Sequence, residues 1–199
     1  MRVSRSGGVN PELIPKGKEN SFMTETPYDR LPSVPSFTLT SADVADGEPL
    51  EIAHYSGIFG VPGGADTSPQ LSWSGAPAGT KSYVVSMYDP DAPIPSGFWH
   101  WALVDIPATT TELPSGAGDG SNLPGGAFHV ANEARSHRFL GAAPPPGSGK
   151  HRYFIAVNAL DIDSVTDVGV SKDSTPAVLY FSIREHILAR AVIAPWGGE

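Results

Sequence analysis

Three short, uninterrupted apolar runs constrain the fold of this chain more than any other feature. They occupy residues 82–88, 98–106 and 153–160, and each is rich in β-branched and aromatic residues. Continuous apolar runs of this length are typical of strands that are covered on both faces. Glycine and proline number 22 and 20 among the 199 residues, and both disfavour helix interiors while suiting turns and strand edges. We therefore predict a single all-β domain with long functional loops.

Shorter segments add edge strands to this core. Residues 37–40, 50–52 and 69–73 combine apolar and polar side chains in the way that short strands do, and turn-forming sequences lie between them. Near the carboxyl terminus, residues 191–193 predict a closing strand.

One segment predicts a helix instead. Ser174-Thr175-Pro176 offers an N-cap and a proline for the first turn. Leu179, Ile183 and Ile187 then recur at every fourth position, and Phe181 and Leu188 widen the apolar stripe. This pattern predicts one amphipathic helix from Pro176 to Leu188.

The amino-terminal segment predicts an extension outside the domain. Residues 1–22 are polar, and they contain no apolar run of the kind that a secretory signal requires. We expect residues 1–34 to be disordered or poorly ordered, residues 35–199 to form the domain, and the protein to be cytoplasmic.

Composition excludes several functional classes. Lys and Arg total 13 against 21 Asp and Glu, and 13 − 21 gives a net charge of −8, which argues against general nucleic-acid binding. Cysteine is absent, which excludes disulfides, redox CxxC motifs and cysteine-ligated zinc. No stretch approaches 18 consecutive apolar residues, so the sequence predicts no membrane span.

A first candidate site follows the first apolar run. Asp89-Pro90-Asp91-Ala92-Pro93 is a rigid turn, because proline restricts φ and aspartate bonds nearby backbone N–H groups. The alternative is a stiff turn whose carboxylates only cap the backbone.

A histidine lies in the next strand. His100 is flanked by Trp99 and Trp101, and strand alternation predicts that it points to the face opposite both. The short connection from Pro93 brings this strand back beside the previous one, where Asp89 or Asp91 could contact His100. The alternative is a structural histidine with its hydrogen bonds satisfied.

A third candidate is a Gly/Pro-rich loop with a cluster of basic residues. Residues 135–152 include Arg135, Arg138, Lys150 and Arg152, together with His137 and His151, and no acidic residue lies among them. Such a loop can also direct backbone N–H groups at an anion. The alternative is a solvated basic surface loop.

Taken together, the three segments predict a site for a small oxyanion, particularly phosphate, whose donors are imidazolium, backbone N–H groups and Tyr153.

These segments, in this order, resemble the phosphatidylethanolamine-binding protein family, which includes the Raf kinase inhibitor proteins. The resemblance is carried by the DPDAP box at 89–93, the strand WHWALVDIPA at 99–108 and the stretch GAAPPPGSGKHRY at 141–153, and it covers residues 35–193. It implies an antiparallel β-sandwich with one short helix near the carboxyl terminus and an anion pocket at one end. The residues that it places at this pocket are Asp89, Pro93, His100, His151 and Tyr153, and the predicted ligand-binding set also includes Asp91 and Gly141. Asp91 would support the loop.

The resemblance also implies a function. We expect a protein that binds phosphorylated small molecules, lipid headgroups or phosphoproteins, without catalytic residues, a cofactor or a metal. The first alternative is a regulatory module that inhibits a kinase or protease, and the second is a weak phosphoester hydrolase. Bacterial members of the family imply a homodimer. Ala143 stands where the family often has glycine, and the eukaryotic carboxyl-terminal helix has no counterpart.

Overall fold

The computed structural model describes residues 25–199. The chain divides into two compact units, Met1–Ser33 and Val34–Glu199. Within the described part of the first unit, the backbone N–H of Thr26 donates to Asp29 at 2.7 Å in a tight turn. The expected extension at residues 1–22 lies outside the described residues, and disorder over residues 1–34 stays a prediction.

Short strands and one helix make up the second unit. The elements are β1 Thr38–Thr40, β2 Leu71–Ser74, β3 Ser82–Asp89, β4 Phe98–Pro107, β5 Glu112–Leu113, β6 Phe128–His129, β7 His151–Arg152, β8 Phe154–Leu160, α1 Pro176–Ile183, β9 Ile187–Ile193 and β10 Trp196–Gly197. Short 3-10 helices lie at Ile52–His54, Ala117–Asp119 and Val165–Val168.

A five-stranded antiparallel sheet forms the centre of the fold, in the order β6-β4-β3-β8-β9. Its three inner strands are the three apolar runs of the sequence, and each is covered on both faces. Val85 and Leu103 on one face pack in a core cluster with Leu71 and Trp73 of β2. On the other face, Val84, Ala102 and Val104 pack with Leu179 and Ile183 of α1. Burial on both faces explains why these runs do not alternate with polar residues.

Two smaller sheets complete the architecture. The order β1-β2-β5 forms a three-stranded sheet, and β7 pairs with β10. All of these pairings are antiparallel. The predicted all-β class, with antiparallel sheets and one short helix near the carboxyl terminus, is confirmed.

Two of the predicted elements are wrong in part. The helix begins as predicted, with the side chain of Thr175 accepting a hydrogen bond from the N–H of Val178 at 3.3 Å. It ends at Ile183 rather than at Leu188, because Ile187 begins β9 and pairs with Leu160. Phe181 is 69% exposed, so it does not widen the buried stripe of the helix.

The second error concerns residues 50–52. The segment predicted there as a strand leads instead into the 3-10 helix Ile52–His54. Its short alternation of apolar and polar residues is compatible with either structure. No helix within residues 25–199 is long and apolar enough to cross a membrane.

Candidate functional site

A β-bulge in β4 positions His100. Met87 pairs with Trp101, and the next residue of β3, Tyr88, pairs with Trp99, so β4 carries one extra residue at position 100. Trp99 stacks on Tyr180 of α1 at 5.1 Å between ring centroids. Bulges of this kind re-aim a side chain at the edge of a functional site.

The bulge overturns the predicted orientation of His100. Its ring meets Tyr153 edge-on at 5.3 Å, and Tyr153 belongs to the same core cluster as Trp101. His100 therefore lies on the side of the sheet that Trp101 occupies, while Trp99 faces α1. The prediction that His100 points away from both tryptophans is wrong, because alternation fails where a strand has an extra residue.

Asp89 ends β3 and is bonded at both carboxylate oxygens. Its Oδ1 accepts the backbone N–H groups of Asp91 at 2.8 Å and Ala92 at 2.9 Å. Its Oδ2 contacts Nδ1 of His151 at 2.8 Å. Burial raises the pKa of Asp89, and the hydrogen bond from His151 opposes that rise. The aspartate that the sequence predicts beside His100 is instead the partner of His151.

His151 also uses its second ring nitrogen. Nε2 lies 2.8 Å from Oγ of Ser148, and that hydroxyl donates its single proton to the carbonyl of Pro145 at 2.6 Å. Ser148 must therefore accept from Nε2–H of His151. The ring is held between Asp89 and Ser148, and no nitrogen of His151 remains for a ligand.

Asp91 anchors the DPDAP turn to β7. Its Oδ2 accepts from the backbone N–H of Arg152 at 2.9 Å and from Nε at 2.7 Å, while Oδ1 accepts from Nη2 at 2.8 Å. Burial of Asp91 opposes its charge, but the hydrogen bonds from Arg152 outweigh that effect and lower its pKa. This bidentate pair gives Asp91 a positioning role at the base of the turn.

His100 has one ring nitrogen bonded within the protein. Nδ1 lies 3.1 Å from the carbonyl oxygen of Leu140, and because a carbonyl only accepts, Nδ1 carries the proton. Burial lowers the pKa of His100 to about 4. The ring is therefore neutral at pH 7, and Nε2 presents a lone pair. This differs from the imidazolium donor that the sequence predicts.

These residues surround a small cavity, which we call the His100 cavity. Its volume is about 210 Å³. Its walls are mostly apolar. The lining residues are Phe59, Asp89, Ala92, Pro93, Ile94, Phe98, His100, Ala143, Pro145 and His151.

The structure brings four of the predicted site residues to the cavity wall, namely Asp89, Pro93, His100 and His151. Asp91 supports the turn from behind. The other two predicted residues, Gly141 and Tyr153, also lie behind the wall.

Gly141 and Tyr153 contribute to the cavity through packing. The N–H of Gly141 donates to Asp66 at 2.8 Å, and a side chain at position 141 would collide with the backbone of Tyr55. Tyr153 is fully buried, and its hydroxyl finds no hydrogen-bond partner within residues 25–199. Its ring supports His100 from the core.

Sequence reasoning missed the apolar part of the wall. Phe59, Ile94 and Phe98 line the cavity, and nothing in their local sequence separates them from core residues. Phe59 and Phe98 meet edge-on at 6.2 Å, although 39 positions (98 − 59) separate them. Only the tertiary structure brings such residues together.

The basic residues of 135–152 do not reach this wall. Lys150 lies 3.6 Å above the ring of Trp196, and Arg152 is bound to Asp91. Arg135 donates to the carbonyl of Asp173, and Arg138 donates to that of Phe139. Among the described residues, the cavity is thus lined by no lysine or arginine.

Few polar atoms remain for chemistry in the cavity. Nε2 of His100 can accept a hydrogen bond, and the backbone N–H of Ala143 donates to no group in the described part of the chain. No serine, threonine or lysine lines the wall as a nucleophile. No group of three or more His, Asp or Glu residues within 25–199 is arranged to hold a metal ion.

A family model described as phosphatidylethanolamine-binding protein matches residues 40–195. The UPF0098 protein YbcL of Escherichia coli is 43% identical over 162 residues, which cover 80% of this chain and 86% of YbcL. The UPF0098 protein YbhB of the same organism is 42% identical over 156 residues, covering 78% of this chain and 96% of YbhB.

Solved structures agree with the sequence matches. The crystal structure of YbcL, described as a new member of the mammalian PEBP family, superposes with a TM-score of 0.77 at 42% identity, covering 82% of this chain and 99% of YbcL. A homologue from Chlamydia trachomatis superposes with a TM-score of 0.62 at 26% identity, covering 81% of this chain and 95% of the homologue.

Proposed function

Because the chain belongs to the phosphatidylethanolamine-binding protein family, we propose that the His100 cavity binds the oxyanion group of a phosphorylated small molecule, lipid headgroup or phosphoprotein. The family match spans residues 40–195 and so includes every residue of the cavity. The apolar wall would contact the carbon chain that carries the oxyanion.

The observation that carries this proposal is that the carboxylates of both aspartates already accept hydrogen bonds from groups within the protein. Asp89 accepts from two backbone N–H groups and His151, and Asp91 accepts from Arg152. An oxyanion entering the cavity would therefore not meet an unpaired carboxylate. The backbone N–H of Ala143, a lining residue, has no partner among the described residues and would donate to an oxyanion oxygen, while Nε2 of His100 would accept from a protonated oxygen of the ligand.

The expected affinity is low. A hydrogen bond to a charged group contributes about 1.5–3 kcal/mol, and association costs at least about 4 kcal/mol. Two such bonds total about 3–6 kcal/mol, so at most about 2 kcal/mol remains, and a bare headgroup binds with a dissociation constant of tens of millimolar or weaker. Apolar contacts with Phe59, Ile94 and Phe98 would tighten a ligand that carries a carbon chain.

An NMR titration of the full chain with phosphoethanolamine tests the proposal. We expect saturable amide shifts confined to residues 89–101 and 141–153, and we expect His100→Ala to abolish them. His137→Ala is the matched control, because that ring is exposed and bonds the carbonyl of Lys172. Unchanged spectra at about 100 mM ligand, or equal shifts in His100→Ala, would contradict the proposal.

A protein partner is the second candidate. An open groove of about 560 Å³ adjoins the cavity and shares Phe59, Ala143 and Pro145 with it. Tyr55 and the prolines at 144–146 also line this groove, which suits an extended apolar peptide segment. In this second candidate function, the groove binds a kinase or protease and the binding inhibits that enzyme. An inhibition assay with Pro146→Glu tests it, since a charge there would weaken inhibition while leaving phosphoethanolamine binding intact.

A further inference from the structure

Ser148, His151 and Asp89 form a continuous chain of hydrogen bonds. Oγ of Ser148 lies 2.8 Å from Nε2 of His151. Nδ1 of the same ring lies 2.8 Å from Oδ2 of Asp89. The side chains of His151 and Asp89 are 1% and 4% exposed, whereas Ser148 is an exposed residue. A hydroxyl on one ring nitrogen and a buried carboxylate on the other are the arrangement in which histidine activates a serine nucleophile.

The loop holds Ser148 in a tight, exposed turn. Gly147 and Gly149 flank it with φ angles of 78° and 84°, a left-handed conformation that glycine adopts without strain. The backbone N–H of Gly149, the residue that follows Ser148, donates to no group within residues 25–199. In many serine hydrolases, the N–H that follows the nucleophile stabilises the oxyanion formed when the hydroxyl adds to a carbonyl group. Gly149 can supply such a donor.

The hydrogen bond between Ser148 and His151 can run in either direction. When both ring nitrogens carry protons, Nε2–H donates to Oγ, and the hydroxyl donates to the carbonyl of Pro145 at 2.6 Å. When only Nδ1 is protonated, the hydroxyl can turn to the lone pair of Nε2. The carbonyl of Pro145 keeps the backbone N–H of Ser148 as a donor at 3.1 Å, so this rotation leaves it bonded. The neutral ring is then the base that the serine requires.

We propose that Ser148, His151 and Asp89 act as a catalytic triad that hydrolyses neutral carboxylic esters. Ser148 is the nucleophile and His151 is the general base, while Asp89 is a positioning residue that holds the proton on Nδ1. This activity is separate from oxyanion binding, because Ser148 does not line the His100 cavity. It departs from the expectation of a protein without catalytic residues.

The reaction has two balanced halves. Oγ of Ser148 bonds to the acyl carbon while its proton passes to Nε2 of His151, and the oxyanion accepts from the N–H of Gly149. The carbon–oxygen bond to the alcohol then breaks, and the alcohol leaves with the proton from Nε2. Water attacks the acyl-serine by the same route and releases the carboxylic acid, which restores both side chains.

The open groove of about 560 Å³ indicates which esters fit. Gly147, the residue that precedes the nucleophile, lines this groove together with the prolines at 144–146, Tyr55 and Phe59. These apolar side chains would contact the acyl chain of an ester. Glu199 also lines the groove, and its negative charge favours a neutral ester over an anionic one.

A fluorophosphonate ester tests the nucleophile directly, because Oγ displaces fluoride from phosphorus when a base takes its proton. We expect the folded full chain to gain one phosphonyl group, which peptide mass spectrometry locates on Ser148. We also expect a burst of p-nitrophenol from p-nitrophenyl butyrate. Ser148→Ala should lose both signals. Ser121→Ala is the matched control and should behave as the parent, because Ser121 is exposed and its hydroxyl bonds Asn122 rather than a histidine.

Asp89→Asn separates a triad from a merely structural contact. Oδ1 of Asp89 accepts two backbone N–H groups, so the amide oxygen of asparagine must take that place and its NH₂ group must face Nδ1 of His151. The proton is then forced onto Nε2, and Ser148 loses its base. We expect kcat to fall at least about 100-fold with KM unchanged.

Three results would each overturn the triad. They are the absence of label on the folded parent, label and turnover that survive in Ser148→Ala, and a kcat in Asp89→Asn equal to that of the parent. Hydrolysis of mono-p-nitrophenyl succinate, which carries a carboxylate, as fast as of the butyrate would overturn the assignment to neutral esters.

Discussion

We predict that buried His129 makes this protein sensitive to mild acid. The side chain lies on the two-residue edge strand β6, packs against Trp101 at 6.4 Å and is 5% exposed. Neither ring nitrogen has a hydrogen-bond partner within the described residues. Burial, reinforced by nearby His137 and Arg138 and opposed by Asp119, lowers the pKa of His129 from 6.5 to about 4.

The magnitude follows from linkage between proton binding and folding. Because the folded-state pKa lies below the unfolded value, the unfolded chain binds the proton first as the pH falls. Stability is therefore lost between pH 6.5 and about 4, and the shift corresponds to about 2 kcal/mol between pH 7.5 and pH 5. His100, whose pKa also falls to about 4, adds a similar loss.

His129→Phe isolates this contribution. The variant keeps an aromatic ring against Trp101 and removes two buried nitrogens that lack partners, so we expect it to be about 1 kcal/mol more stable at pH 7.5. Urea unfolding at pH 7.5 and pH 5 should show that the variant loses about 2 kcal/mol less than the parent. An equal loss of stability in both proteins would refute the assignment of acid sensitivity to His129.

Two further substitutions test the framework of the cavity. Asp89→Ala leaves two backbone donors and buried His151 without their acceptor, and we expect it to lower the free energy of unfolding in urea by about 3–5 kcal/mol. Asp89→Asn keeps an acceptor for the backbone and should cost clearly less, so equal losses in the two variants would contradict this account. Gly141→Ala would drive a methyl group into the backbone of Tyr55 and should lower the midpoint of thermal unfolding, whereas Gly125→Ala, with open space around it, should leave the midpoint unchanged. A stable Gly141→Ala protein would show that the backbone of Tyr55 can move.

The central sheet was predictable because burial on both faces leaves a local pattern. The runs at 82–88, 98–106 and 153–160 correspond to β3, β4 and β8, each with one boundary shifted by one residue. The start of α1 was also local, since Thr175 and Pro176 cap a helix without help from distant residues.

The end of that helix was not local. Apolar residues at 179, 183 and 187 are compatible with one long helix. They are equally compatible with a helix that ends after residue 183 and a strand that begins at residue 187. Pairing of Ile187 with Leu160 decides between these possibilities, and it depends on β8 being present beside it.

The candidate site shows the same division. Residue types and motif order in the sequence identified the DPDAP turn and the histidines at 100 and 151 as neighbours in one pocket, and the resemblance to a family supplied the shape of that pocket. The sequence could not show which aspartate contacts which histidine, because Asp89 and His151 are 62 positions apart and their contact depends on β3 lying beside β8.

Local pattern thus sufficed wherever the deciding contacts lie within a few residues, as in the buried strands, the helix start and the rigid turn. Only the tertiary structure determined the bulge at His100 and the hydrogen bonds that Asp89 and Asp91 accept within the protein. It also determined that Nδ1 of His100 is bonded to the backbone, whereas Nε2 is not. These features follow from pairing between strands distant in the chain. A single extra residue in one strand changes the direction of a side chain without leaving any mark in the sequence around it.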